Sequence, residues 1–196
     1  MPFPAFPRRQ AALSLPVIDR HDGGGVMARW GLIALAWGLT AIAADGFADT
    51  KTLARSGSWE AFGGTTTKGR GVCGISAEPG GRYFGLKLFA GDKTFTIQMG
   101  TSQWKIEDGR KVPLTLSFDG YAAWRAIGTS SHFEDGDAGL QFAVKRQEVD
   151  KFAKEFRDSS TLRINFQDGA FAPWALGLQG TQIVNSAFQN CMRNLP

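Results

Sequence analysis

The sequence predicts a mainly β protein: an antiparallel sandwich or flattened barrel of about eight or nine strands, with two packed helices, one of them C-terminal. Three observations predict it. Short runs alternate apolar and polar residues with a period of two. Asp-Gly and Gly-Asp pairs punctuate those runs, and just two later segments change to a helical period.

The first elements are not part of that fold. Residues 1–26 carry four of the eight prolines and no strand or helix periodicity, which reads as a disordered or mis-annotated extension with translation starting at Met27. Residues 27–43 read as an export signal: Arg29 supplies the basic start, Trp30 to Ala43 contain no charged side chain, and Ala41-Ile42-Ala43 gives the small-x-small cleavage pattern. Gly46-Phe47-Ala48 offers a second cut. The apolar run is too short for the ~20 residues of a permanent membrane helix. Residues 44–56 are expected to be a flexible mature N-terminus, and 57–196 a single β-rich domain.

Within that domain the strand-like runs follow in order. "SWEAFG", "VCGIS" and "YFGLKLF" come first, with glycines that hint at bulges or close packing. "TFTIQM" sets Phe95, Ile97 and Met99 against Thr94, Thr96 and Gln98. "VPLTLSF" puts Val112, Leu114, Leu116 and Phe118 on one face. "LQFAV" and "LRINF" repeat the pattern, and Trp174 after Pro173 opens a last strand. Gly91-Asp92, Asp108-Gly109, Asp119-Gly120 and Asp168-Gly169 fall between the runs, as tight turns require.

Two segments are helical. Val149, Phe152, Ala153 and Phe156 make one stripe, with Asp150–Lys154 and Lys151–Glu155 as partners four apart. The C-terminal segment lines up Ile183, Val184, Ala187, Phe188 and Cys191. Cys73 and Cys191 are the two cysteines of the chain, and outside the cytosol an isolated pair is most simply one disulfide. Such a bond would pin the last helix to the early strand that carries Cys73.

Composition excludes some functions. Past Ala43 the chain holds 18 basic and 16 acidic residues, scattered rather than clustered, which argues against a nucleic-acid partner. A single histidine, His132, accompanies the two cysteines there, too few for a zinc site; no metal and no cofactor is expected. "GGTTTKGRG" has the wrong order for a phosphate loop. The loop "GTSSHFEDGD" gathers Ser130, Ser131, His132, Glu134, Asp135 and Asp137. It could serve a hydrolase or hold calcium. Yet adjacent residues of an extended chain point apart, no G-x-S-x-G elbow occurs, and the D-x-D-x-D-G spacing is missing. Trp124 and Arg125 in "YAAWRA" and Trp174 in "FAPWALGL" have small neighbours that leave room for an apolar or carbohydrate ligand. Core packing is the competing role for both tryptophans.

Across residues 57–193, the strand at "GSW", then "VCGIS", "WKIEDG", "LTLSFDG", "WRA" and "WALGLQG" before a helix with a terminal cysteine recur together. This layout resembles small uncharacterised periplasmic proteins of alpha-proteobacteria and is remotely similar to the invasion-associated locus B family. The chain lacks the further cysteine pairs and the proline-leucine-glycine motif associated with that family. The resemblance implies a β-rich exported protein and carries over no catalytic residue.

The functional expectation is therefore an exported, non-enzymatic periplasmic or secreted protein that binds a ligand or associates with the envelope, with no permanent membrane span. Its partner would be a protein or a small apolar or carbohydrate ligand. An inhibitor or accessory partner of a periplasmic enzyme, and a hydrolase using the Ser130–Asp137 loop, are the alternatives.

Overall fold

The computed structural model describes residues 47–133, 136–167, 169 and 171–195. The extension 1–26, the export segment 27–43, and Glu134 and Asp135 of the polar loop lie outside the described residues.

Alternation along the chain produces ten strands: β1 Phe47–Ser56, β2 Trp59–Thr66, β3 Gly71–Ala77, β4 Tyr83–Phe89, β5 Thr94–Gly100, β6 Lys111–Phe118, β7 Trp124–His132, β8 Ala138–Lys145, β9 Thr161–Phe166 and β10 Trp174–Gly177. Helices α1 (Val149–Asp158) and α2 (Thr181–Arg193) complete the described elements, with short 3-10 turns at Pro79–Gly81 and Arg146–Glu148. All strand pairs are antiparallel, in the order β1-β2-β3-β4-β5-β8-β7-β6-β9-β10. The fold is mainly β and antiparallel as expected, with ten strands against the eight or nine expected.

Sequence alternation does not mark β1 and β7. Phe47–Ser56 is not a flexible tail but an edge strand paired along β2, from Phe47 opposite Thr66 to Ser56 opposite Trp59. Its sequence shows little alternation because most of it is exposed, so burial imposed no period on it. In β7 the inward positions are Trp124, Ala126, Gly128 and Ser130, of which the last three are too small or polar to read as an apolar face.

Register places one continuous apolar face across the sheet. Ile75 lies opposite Ala61 and Leu86, Leu86 opposite Ile97, and Ile97 opposite Phe142. Leu116 lies opposite Ile164, which pairs onward with Trp174. The sheet curls so that its two ends meet: the Trp59 indole N–H on β2 donates to the Gly177 carbonyl on β10 at 2.9 Å. An open sheet curled in this way is consistent with the expected sandwich or flattened barrel.

The helices cover the apolar face. Helix α1 buries Val149, Phe152, Ala153 and Phe156, the stripe its sequence predicts. Phe156 meets Trp59 edge-on at 4.9 Å, and Phe152 meets Phe118 at 5.2 Å. Helix α2 packs on β1, β2 and β3 through Val184 and Phe188. Ile183 is exposed rather than part of the stripe, because the buried face centres on Thr181, Val184, Asn185 and Phe188. Cys191 and Cys73 form the expected disulfide, with Cα atoms 5.9 Å apart. Two expected helix pairs also change partners. Lys154 binds Asp158 at 2.9 Å instead of Asp150, and Glu155 is buried and accepts the Trp124 indole N–H. No helix among the described residues is long and apolar enough to cross a membrane.

Candidate functional site

The strands around Trp124 and Arg125 are not fully zipped. Strand β7 pairs with β6 over its first half, from Leu116 opposite Trp124 to Lys111 opposite Thr129. It pairs with β8 over its last residues alone, from Thr129 opposite Gln141 to His132 opposite Ala138. Beyond Thr129 and Gln141 the two strands part, although each stays bonded to its outer neighbour.

Strand geometry tells which backbone groups face the gap. The Ser130 N–H donates to the Arg110 carbonyl at 2.9 Å, and the Ser130 carbonyl accepts from Gly109 N–H at 2.9 Å. Ser130 therefore bonds toward β6, and by alternation so do Gly128, Ala126 and Trp124. On β8, Arg146 N–H donates to the Lys93 carbonyl and the Ala138 carbonyl accepts from Thr101 N–H, so even-numbered residues bond toward β5. The odd-numbered residues face each other. Thr129 and Gln141 close the last rung. Ile127 with Ala143, then Arg125 with Lys145, are the rungs that would follow and are not formed.

The parted strands enclose a cleft of about 390 Å³, lined by Trp124, Arg125, Ile127, Phe142, Lys145 and Glu148 among others. That lies within the range of ligand pockets, roughly 300–1,000 Å³. The void beneath α1 and α2, bounded by Phe152, Phe156, Asn185 and Phe188, has about 10 Å³, the scale of a single water.

The inner side of the cleft is aromatic. Phe152 of α1 touches Trp124 at 5.5 Å and also Phe95 at 5.5 Å, the β5 residue opposite Val144. Its ring thus contacts an aromatic residue of β7 and one of β5. The Trp124 indole N–H donates to the Glu155 carboxylate at 2.5 Å, and Lys151 Nζ stands 4.8 Å from the Trp124 ring centre. These contacts fix the ring. On the outer side Ile127 is 63 % exposed. Arg125 and Lys145 are exposed, and neither forms an ion pair among the described residues.

Trp174 lies elsewhere. It is 4 % exposed on β10 and stacks on Trp104 at 4.9 Å, which stacks in turn on Phe171 at 4.2 Å. The Arg82 guanidinium sits 5.7 Å from its ring centre. Of the three residues expected at a ligand site, the structure brings Trp124 and Arg125 together and leaves Trp174 in the core.

The polar loop is partly strand. Ser130 is buried, and its hydroxyl donates to the Glu107 carbonyl at 2.5 Å. His132 Nδ1 lies 2.8 Å from Asp108, with both side chains well exposed. Ser130 and His132 thus turn to different partners, and among the described residues no serine hydroxyl reaches the imidazole. No group of three or more His, Cys, Asp or Glu arranged for a metal occurs among the described residues.

What sequence reasoning missed is the parting of β7 and β8. A signal was present: Arg125 and Ile127 share the outward parity of β7, so a basic and a large apolar side chain stand side by side in solvent.

No protein-family model matches this chain. No curated protein matches it either. Among solved structures, the crystal structure of invasion associated protein B from Bartonella henselae superposes with a TM-score of 0.51 at 13 % identity, over 74 % of this chain and 98 % of that one. The chain is similar in fold to that protein, over nearly the whole of the other molecule.

Proposed function

We propose that the protein is an exported, non-enzymatic binding protein of the periplasm or cell envelope, and that its ligand occupies the cleft between β7 and β8. The observation that carries this reading is the cleft itself: ligand-sized, floored by a fixed tryptophan, and rimmed by two exposed basic side chains. The single disulfide fits an oxidising compartment. The fold likeness to invasion associated protein B agrees with it.

Thermal unfolding in the presence of a panel tests the reading. The panel holds short acidic peptides, neutral glycan fragments and medium-chain fatty acids. A ligand at a hundred times its Kd adds about 2.7 kcal/mol to stability, or roughly 5–10 °C for a domain of this size. At least one class should produce that shift in the wild type and lose it in Arg125→Glu. A panel that shifts nothing, or shifts Arg125→Glu equally, refutes the proposal.

A further inference from the structure

We infer that the cleft takes an extended, acidic polypeptide segment as an inserted strand, completing the sheet between β8 and β7. This rests on the binding reading above and specifies its ligand. Glycans and fatty acids need a pocket. They have no use for two rows of backbone groups spaced as a β-ladder. Here both banks present such rows: Arg125 and Ile127 on one side, Ala143 and Lys145 on the other, each already bonded outward through its even-numbered neighbours. A free peptide edge is the template on which an extended segment adds.

The banks set the length and pattern of the guest. Arg125–Gly128 faces Phe142–Lys145, about four residues or ~13 Å at the rise of a strand. Because β7 and β8 run antiparallel, the guest is parallel to one bank and antiparallel to the other. Its inward side chains meet Trp124, Ala126, Phe142 and Val144, so they should be apolar. Its outward side chains lie beside exposed Arg125 and Lys145, with Glu148 the one acidic group lining the cleft among the described residues. That balance favours glutamate or aspartate at alternate positions.

Backbone amide exchange in the oxidised protein tests this. In the free protein the Ile127 and Ala143 amides should exchange at least tenfold faster than those of Gly128 and Phe142, which bond to β6 and β5. The probe is an equimolar pool of N-acetyl hexapeptides carrying Glu or Asp at alternate positions and Val, Ile, Leu or Phe between them. Adding it should slow exchange at Ile127 and Ala143 at least tenfold. The matching lysine pool should bind at least tenfold more weakly, as should a pool with alternate backbone amides methylated. Ala143→Pro removes an N–H that the β5 ladder does not use, so it should weaken binding tenfold while leaving the melting temperature within a few degrees. Ala143→Gly, which keeps the N–H, should bind like the wild type.

If the Ile127 and Ala143 amides are already protected in the free protein, the strands are closed and the inference falls. If the acidic pool perturbs the side chains of Trp124 and Ile127 yet leaves both amides exchanging freely, or if the methylated pool binds equally, strand insertion is overturned while the cleft remains a binding site. If no peptide reaches the cleft but a glycan or fatty acid does, the inference fails and the broader proposal survives.

Discussion

Glu155 shows how one side chain can tie a helix to the candidate site. It is 3 % exposed, the sole acidic residue among the buried described residues, and it accepts the Trp124 indole N–H. A buried carboxylate that loses its donor leaves a polar group without solvent or partner, which costs about 1–3 kcal/mol. Trp124→Phe keeps an aromatic ring against Phe152 and removes the N–H. It should lower denaturant stability by about that amount, and adding Glu155→Leu should restore most of the loss. Equal midpoints for Trp124→Phe and wild type would show that the bond contributes nothing. At this scale the sequence was half legible. Trp124 stands out among small neighbours, but Glu155 sits four residues after Lys151, where spacing alone predicts a solvent-exposed pair. The structure instead sends both residues to the same indole, Glu155 to its edge and Lys151 over its face. Helical spacing reports which residues share a side of α1. It does not report that a distant strand brings an N–H to that side.

Between elements, the turn after β6 does more than reverse the chain. Asp119 Oδ2 accepts hydrogen bonds from Ser160 Oγ at 2.6 Å, Thr161 N–H at 2.9 Å and Ser160 N–H at 3.2 Å, so it fastens the start of β9 beside the end of β6. The Ser160 hydroxyl above all, then the two backbone N–H groups and Arg163, hold the Asp119 carboxyl below its ordinary 3.8. On α1, Arg157 and then Lys154 hold Asp158 at about 2. A carboxylate with a depressed pKa adds stability above its unfolded value and loses it as pH falls through the folded one. Denaturant stability should therefore drop below about pH 4 and keep dropping toward pH 2. Asp119→Asn should be less stable than wild type at pH 7, with the two curves converging at low pH. Parallel curves would mean that the clasp is not electrostatic. The Asp119-Gly120 turn was legible because glycine supplies the positive φ, here 78°. The strands that alternate cleanly were legible too: β5, β6, β8 and β9 each have one face on the core. Strand β1 was not, since an exposed edge is under no pressure to alternate. The gap between β7 and β8 was not legible, beyond the outward parity of Arg125 and Ile127, because pairing is decided by partners distant in sequence.

For the whole molecule, the question is what keeps α2 closed over the sheet. Helix α2 lies across β1, β2 and β3, and its last turn is bonded to β3 through Cys191 and Cys73. The approach is close: a Cβ placed on Gly63 of β2 would stand 2.7 Å from the Cys191 sulfur. Any larger residue at Gly63 would push the helix outward, so the disulfide depends on a glycine in the neighbouring strand. The bond closes a loop with a sequence separation of 118. For that length, loss of unfolded-chain entropy stabilises the fold by about 4–5 kcal/mol as an upper figure. Domain stabilities are commonly about 5–15 kcal/mol in total, so this one bond decides much of the margin. Cys73→Ala with Cys191→Ala should lower the melting temperature by about 10 °C or more. Amide exchange should accelerate first in α2, before the β4–β5 core, because Val184 and Phe188 still hold the helix but no covalent tie returns it. Gly63→Ala in the oxidised protein should show a smaller loss of about 1–3 kcal/mol, with the same early opening of α2. If the double alanine variant melts with the wild type, or if α2 opens no earlier than the core, then apolar burial alone holds the helix and the bond is incidental to the fold.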